Sequence, residues 1–392
     1  MRDLIYLDNA ATTYPKPQQV YDYMYNFYRT QGFNPGRSGY DAGLETEKVV
    51  HATRKMLMDF FGGTEPNNLT FSYNASDSLN MIIQGMAKKG DHVVTTQVEH
   101  NSVLRPLHHL KADGVIEVTH VPMDGRGYID PDDVKRAIGK NTRLVVVNHG
   151  SNVIGTVQPI KAVGEICREA GVAFAVDACQ TAGVIDVDVK EMNIDLLAFT
   201  GHKCLLGPTG IGGSYIVEGT PIKGTRFGGT GVRSAHPFHL DEFPYRMECG
   251  TLNTLGVAGL KAGLEWITEQ GPAAIHEREM ALWTRLRDGL REIDGVTLYC
   301  ADSAENHISV LSFNVAGWEA ADVGTMLDVD HNIASRTGLQ CAPLVHKALG
   351  TDKIHGTVRL SIGPFNTESH IEAAIEAVRE IAAIKDLKGT SV

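Results

Sequence analysis

The chain has 392 residues, with 36 Lys and Arg against 47 Asp and Glu, a net charge of −11. That balance, with no basic stripe, argues against a nucleic-acid partner. No apolar run of membrane-spanning length occurs, and the stretch through Thr13 lacks the apolar region of a signal peptide. Six cysteines (Cys167, Cys179, Cys204, Cys249, Cys300 and Cys341) lie far apart with no C-x-x-C pair, which argues against structural zinc and a disulfide framework and leads us to expect the cytoplasm. At roughly 150 residues per domain, two or three domains are expected. Glycine, at 41 residues, is the one compositional excess.

In chain order, Leu69–Tyr73, His92–Thr95, Leu144–Asn148, Val172–Val176 and Leu196–Phe199 are short apolar runs that read as buried strands of a largely parallel sheet. Between them, Leu79, Ile82, Ile83 and Met86 fall on one helical face, predicting a helix over Ser76–Lys89 ended by Gly90. Ile160–Ala170 reads as another, ended by Gly171. The alternation is that of a doubly wound α/β domain, placed over residues 15–255. Helical stretches Val257–Glu269 and Ala273–Ile293 follow, then strands Val296–Tyr299, Ile308–Asn314 and Thr357–Ser361. A final helix, Glu368–Ile384, has Ser369 and Glu372 at capping-box spacing. These elements predict a smaller α+β domain made of residues 1–14 and 256–392.

Several motifs fail. His276-Glu277 begins an H-E-x-x-H that Met280 breaks, and Gly210 and Gly212 begin a dinucleotide fingerprint that Tyr215 breaks. No P-loop or nucleophile elbow is present, and no metal site is expected. The positive signal is a set of polar residues just past predicted strands, where open α/β sheets bind ligands. These are Asn74-Ala75-Ser76, Glu99-His100-Asn101, His149-Gly150-Ser151-Asn152, Asp177-Ala178-Cys179-Gln180 and Thr200-Gly201-His202-Lys203. An acid, a lysine, a histidine and a helix start that can cradle phosphate are together what pyridoxal phosphate (PLP) requires. The lysine holds the cofactor as a Schiff base, and the acid keeps the pyridine nitrogen protonated.

Four segments, in order, carry a family resemblance. They are Tyr6-Leu7-Asp8-Asn9-Ala10-Ala11-Thr12-Thr13, Val176-Asp177-Ala178-Cys179-Gln180, Thr200-Gly201-His202-Lys203 with Gly207-Pro208-Thr209-Gly210, and Arg336-Thr337-Gly338-Leu339-Gln340-Cys341. The chain resembles the class V aminotransferase family, of PLP fold type I, and within it the cysteine desulfurases, from about residue 5 to 380. The resemblance implies a large doubly wound sheet domain, a smaller α+β domain, and a homodimer with shared active sites. It implies that Lys203 holds PLP and moves protons, Asp177 pairs with the pyridine nitrogen, Gln180 bonds the ring oxygen, and His100 stacks on the ring. Ala75, Ser76, Thr200 and His202 would bind phosphate, joined by Gly250 and Thr251 of a second subunit. Asn152 and Arg359, helped by Arg37, would hold the substrate carboxylate, and Cys341 would take sulfur from L-cysteine as a persulfide, releasing alanine. Arg336 could supply the positive field that favours a thiolate at Cys341. A sulfur-acceptor protein and a place in iron–sulfur cluster assembly are further expectations.

The sequence departs from the pattern in two places. Leu339-Gln340 replaces the histidines often found before the cysteine, and about three extra residues lie between Cys341 and Arg359. The alternatives are a selenocysteine lyase, a cysteine β-lyase or another enzyme of the same fold, a nicotinamide-dependent oxidoreductase, and a sulfur carrier or scaffold without activity.

Overall fold

The computed structural model describes residues 4–35 and 40–388, with side chains through 384. The chain opens with β1 (Ile5–Tyr6), α1 (Gln18–Gln31) and α2 (Asp41–Phe60). Then β2 (Leu69–Ser72), α3 (Ala75–Met86), β3 (Asp91–Thr96), α4 (Asn101–Ala112), β4 (Ile116–Val121), α5 (Pro131–Ala137), β5 (Thr142–Asn148), α6 (Ile160–Ala170), β6 (Ala173–Asp177), β7 (Leu196–Thr200) and β8 (Gly212–Ile216) build a seven-stranded sheet and its helices. The strand order is β2-β8-β7-β6-β5-β3-β4, and only β8 runs against the others.

Both faces of this sheet are covered, which is why its central strands are apolar throughout. Alternation along β5 and β7 sends Val145, Val147, Leu197 and Phe199 to one core, with Val163 of α6 and Leu57 of α2. It sends Leu144, Val146, Leu196 and Ala198 to the other, with Ile82 of α3 and Leu107 of α4. The five predicted strands all form, within two residues of the expected ends. Two more were not foreseen. β4 is an edge strand whose middle residues are partly exposed, so it lacks a continuous apolar run. β8 is hidden by glycine. A Cβ on Gly212 would lie 2.8 Å from the Phe199 carbonyl oxygen and 2.9 Å from Asn74 Cα, so the squeeze between β2 and β7 requires bare backbone.

The rest comprises α7 (Thr254–Gln270), α8 (Pro272–Arg291), β9 (Val296–Tyr299), β10 (Val310–Val315), α9 (Ala320–Val329), β11 (Ile333–Ala334), β12 (Arg336–Gly338), α10 (Pro343–Leu349), β13 (Thr357–Ser361) and α11 (Glu368–Lys388). Helix α7 packs on α1 and α2, and its Val257, Leu260 and Leu264 join the core beneath the large sheet. Strands β12-β13-β10-β9 form an antiparallel sheet, and α8, α9 and α11 enclose a separate core with Leu7, Trp283, Phe313 and Leu360. Two local expectations need correction. Helix α3 stops at Met86, and Gly90 lies in the turn that leads to β3. The capping box of α11 does not form: Thr367 Oγ1 accepts from the His370 N–H (3.4 Å), and Glu372 instead pairs with Arg285 of α8.

The N-terminal strand fixes the relation between the two sheets. β1 runs parallel to β11, and Asp8 bridges to Ser361 at the end of β13. This places the Asp8–Thr13 segment over the C-terminal ends of β6 and β7, where Gln180 Nε2 donates to the Ala10 carbonyl (3.0 Å) and Thr13 N–H donates to the His202 carbonyl (3.1 Å).

Candidate active site

A cavity of about 210 Å³ opens at the C-terminal ends of the parallel strands. Strand β6 ends on Asp177, β7 ends on Thr200 with His202 and Lys203 in the following turn, and the turn after β3 carries His100. All five line the cavity, with Ala75, Ser76, Gln180, Asn152, Arg336, Gln340, Cys341 and Arg359. The structure therefore brings together every sequence-predicted site residue except three. Gly250 and Thr251 line two separate clefts beside Glu248, away from this cavity. Arg37 lies outside the described residues.

One end of the cavity is built to receive an anion. Asn74 Oδ1 caps the N–H of Asp77 (3.0 Å), and the N–H groups of Ala75 and Ser76, at the first two positions of α3, have no carbonyl a turn behind them. Across from them, Thr200 Oγ1 and His202 Nδ1 are buried without a hydrogen-bond partner. Buried polar atoms are seldom left so, and a phosphate group satisfies this set. The His202 carbonyl is firmly held, accepting from Thr12 Oγ1 (3.1 Å) and Lys16 Nζ (2.5 Å) as well as Thr13 N–H. Burial pushes Lys16 down to about 8 and His202 down to about 4, the latter helped by the charges of Lys203 and Lys16.

His100 caps α4: its Nδ1 accepts from the Ser102 N–H (3.0 Å) and lies 2.9 Å from Ser102 Oγ. The ring is pushed down to about 4, by burial first and then by Lys203, with Arg336 and Arg105 adding to it against the opposing pull of Asp177. The neutral ring whose Nδ1 is an acceptor carries its proton on Nε2. Behind it Glu99 is fully buried, accepting from Thr96 Oγ1 (2.7 Å) and the Asn148 N–H (3.0 Å), with its second oxygen unpartnered. Burial raises that carboxyl to about 8. Asp177 Oδ1 accepts from the Cys179 N–H (3.0 Å). Burial, and Asp177 after it, push the Cys179 thiol well up.

The opposite wall comes from the smaller sheet. Arg359 on β13 is 2 % exposed and neighbours Arg336 across the β12–β13 pairing. Its guanidinium donates to the Asn152 carbonyl (2.8 Å) and to Asp8 Oδ1 (2.5 Å), while Nε is buried without a partner. Asn152 Nδ2 donates to the Gln340 carbonyl (2.7 Å), and its Oδ1 is buried and unpartnered. The two groups expected to hold a carboxylate are thus partly engaged within the chain: Arg359 keeps one unpartnered donor, Nε, and Asn152 an unpartnered acceptor, Oδ1. Cys341 is half-buried at this wall, and its carbonyl accepts from the Asn101 N–H at the start of α4 (2.7 Å). Sequence reasoning missed three supports of the site. Asp8 stands in a recognised motif, but its partner is 351 positions away. Ser102 carries no signal beyond its place after His100, and Gln340 showed only as a departure from pattern.

The class V aminotransferase model matches residues 5–374. A probable cysteine desulfurase of Methanothermobacter thermautotrophicus is 34% identical over 98% of this chain and 96% of its own. One of Pyrococcus abyssi is 35% identical over 99% and 96%. Among solved structures, the apo cysteine desulfurase of Thermococcus onnurineus superposes with a TM-score of 0.90 at 35% identity, covering 97% of this chain and 95% of that one. A cysteine desulfurase of Escherichia coli gives 0.87 at 28% identity, with 97% and 95% covered. Strand ends that carry an acid and a lysine, a helix start with unpartnered polar atoms across from it, a cysteine turn facing them, and matches over nearly the whole length lead to one conclusion: the chain belongs to the class V aminotransferase family.

Proposed function

We propose that the chain is a PLP-dependent cysteine desulfurase that converts L-cysteine to L-alanine and carries the sulfur on Cys341. The observation that carries the proposal is the meeting of Lys203, Asp177 and His100 with Cys341 around one cavity. The full-length likeness to cysteine desulfurases supports it. Two copies of the chain, each lending Gly250 and Thr251 to the other's phosphate site, would complete the cradle. A cytoplasmic setting and an acceptor protein in iron–sulfur cluster assembly fit the same reading. No helix among the described residues is long and apolar enough to cross a membrane.

Ala75, Ser76, Thr200 and His202 would hold the phosphate of PLP, Lys203 its aldehyde carbon, and Asp177 its protonated nitrogen. When bound, the cofactor supplies a ring that withdraws the electron pair left at the substrate α-carbon. Arg359, whose Nε is unpartnered, and the Asn152 amide would receive the substrate carboxylate, which orients the α-hydrogen. Lys203 would take that proton and return it. His100 brings a neutral imidazole with its proton on Nε2. The Cys341 thiolate attacks the substrate sulfur: an S–S bond forms, the C–S bond breaks, and its electron pair stays on the carbon, which is protonated to give the methyl group of alanine. Arg336 lines the same cavity as Cys341.

Incubation with L-cysteine and, separately, L-selenocysteine with quantification of alanine tests the proposal. Alanine from L-cysteine that requires Cys341 is expected. Alanine from L-selenocysteine alone, or turnover of L-cysteine untouched by Cys341→Ala, assigns the chain to a lyase instead.

A further inference from the structure

We propose that Gln340 is a positioning residue that locks the Cys341 thiol at the cavity wall, so that sulfur is taken up by a fixed turn and not by a swinging loop. The inference rests on reading Cys341 as the nucleophile. Gln340 is 5 % exposed, although it lies between two loop residues at the rim of the site. Its Nε2 donates to the Thr357 carbonyl on β13 (2.7 Å), and its Oε1 accepts from His346 Nε2 on α10 (2.9 Å). Burial pushes His346 down to about 4, and its Nδ1 accepts from Thr351 Oγ1 (2.8 Å), so the neutral ring presents Nε2–H to Gln340. The backbone on either side is tied as well. The Gln340 carbonyl receives Asn152 Nδ2 (2.7 Å) from the loop after β5, and the Cys341 carbonyl receives the Asn101 N–H (2.7 Å).

These bonds hold a conformation that the chain would not otherwise keep. Gln340 has φ 39° and Cys341 φ 61°, two consecutive side chains in the left-handed region. Only four residues join β12 to α10, so the turn has little slack. With the amide in place, the thiol is referenced through Asn152 and Asn101 to the same strand ends that carry Asp177 and His100. Without it, the turn is free to relax to ordinary dihedrals, and Sγ moves.

The test uses the cofactor-loaded protein and its Gln340→Ala and Gln340→Glu variants. For Gln340→Ala, kcat on L-cysteine should fall roughly 10- to 100-fold, the cost of misplacing a reacting group by about an ångström, with KM and visible absorbance retained. Alkylation of Cys341 by iodoacetamide, mapped by mass spectrometry, should speed up severalfold, and this readout does not depend on turnover. Gln340→Glu is isosteric: its carboxylate repels the Thr357 carbonyl, and its protonated form donates to it. The ratio of its kcat to that of the parent should therefore recover as pH falls from 9 to 6, which a general loss of folding would not produce. Parent-like kcat and alkylation rate in Gln340→Ala overturn the proposal. Should Gln340→Ala fail to fold, a flat kcat ratio for Gln340→Glu across pH overturns it equally. Turnover unaffected by Cys341→Ala sinks the nucleophile reading instead, a separate result.

Discussion

The two walls of the cavity are built differently. The wall bearing Asp177, Thr200, His202 and Lys203 consists of strand ends of a sheet buried on both faces, so regular hydrogen-bond ladders place its side chains. The wall bearing Arg359, Gln340 and Cys341 depends on side-chain bonds between distant segments: Asp8 to Arg359, Asn152 to Gln340, Arg359 to Asn152. A sheet edge offers donors wherever a strand stops, whereas the second wall exists only while each of its long-range partners is present. Substitutions on the first should therefore remove chemistry and spare the fold, and substitutions of the bonded side chains that hold the second, such as Asp8, should affect stability and geometry together, Cys341 itself excepted.

Lys203→Ala should lower turnover of L-cysteine roughly 100- to 10,000-fold, as expected for loss of a proton-transferring group, and leave the thermal midpoint within a few degrees. Borohydride reduction should then no longer fix a cofactor to the protein; a large drop in the midpoint would break the contrast between the walls. Cys341→Ala should reduce alanine formation at least roughly 100-fold while L-cysteine still binds. Asp8→Ala leaves the Arg359 charge buried without its partner and should cost about 3 kcal/mol of stability in denaturant unfolding, with a raised KM. Asp8→Asn, which keeps an acceptor, should cost less. An unchanged Asp8→Ala variant would mean that the second wall stands without its ion pair.

A further effect is a pH optimum of stability. Burial holds His100, His149, His202, His307 and His346 at about 4, below their ordinary 6.5. The unfolded chain binds those protons first, so their contribution is lost as pH falls from 6.5 through 4. Glu99 and Glu279 are raised from 4.5 to about 8, so theirs is full below 4.5 and lost as pH rises through 8. Five histidines outweigh two carboxyls below 6.5, and between 6.5 and 8 the carboxyls dominate, before Lys16, pushed down to about 8, begins to oppose them, so thermal midpoints across pH 5 to 9 should peak near 6.5. Glu99→Gln should flatten the alkaline decline.

Legibility in the sequence followed the same division. The strands carrying Asp177 and Lys203 are continuous apolar runs because both faces are covered, and their terminal polar residues stand out against them. The glycine pair of β8 hid a strand, because the constraint is the approach of Phe199 and Asn74, which no local pattern records. Asp8 and Gln340 could be seen as residues but not as partners, since their bonds reach across the fold. Thr367 displaced the expected cap of α11 because Arg285 claims Glu372.

The most direct measurement is a single exposure of the cofactor-loaded protein to L-cysteine, followed by non-reducing peptide mass spectrometry. The account predicts one added sulfur on the peptide containing Cys341, in proportion to alanine released, and none on Cys179 or Cys204. Alanine formed with Cys341 unmodified, or the sulfur carried by another cysteine, would contradict it.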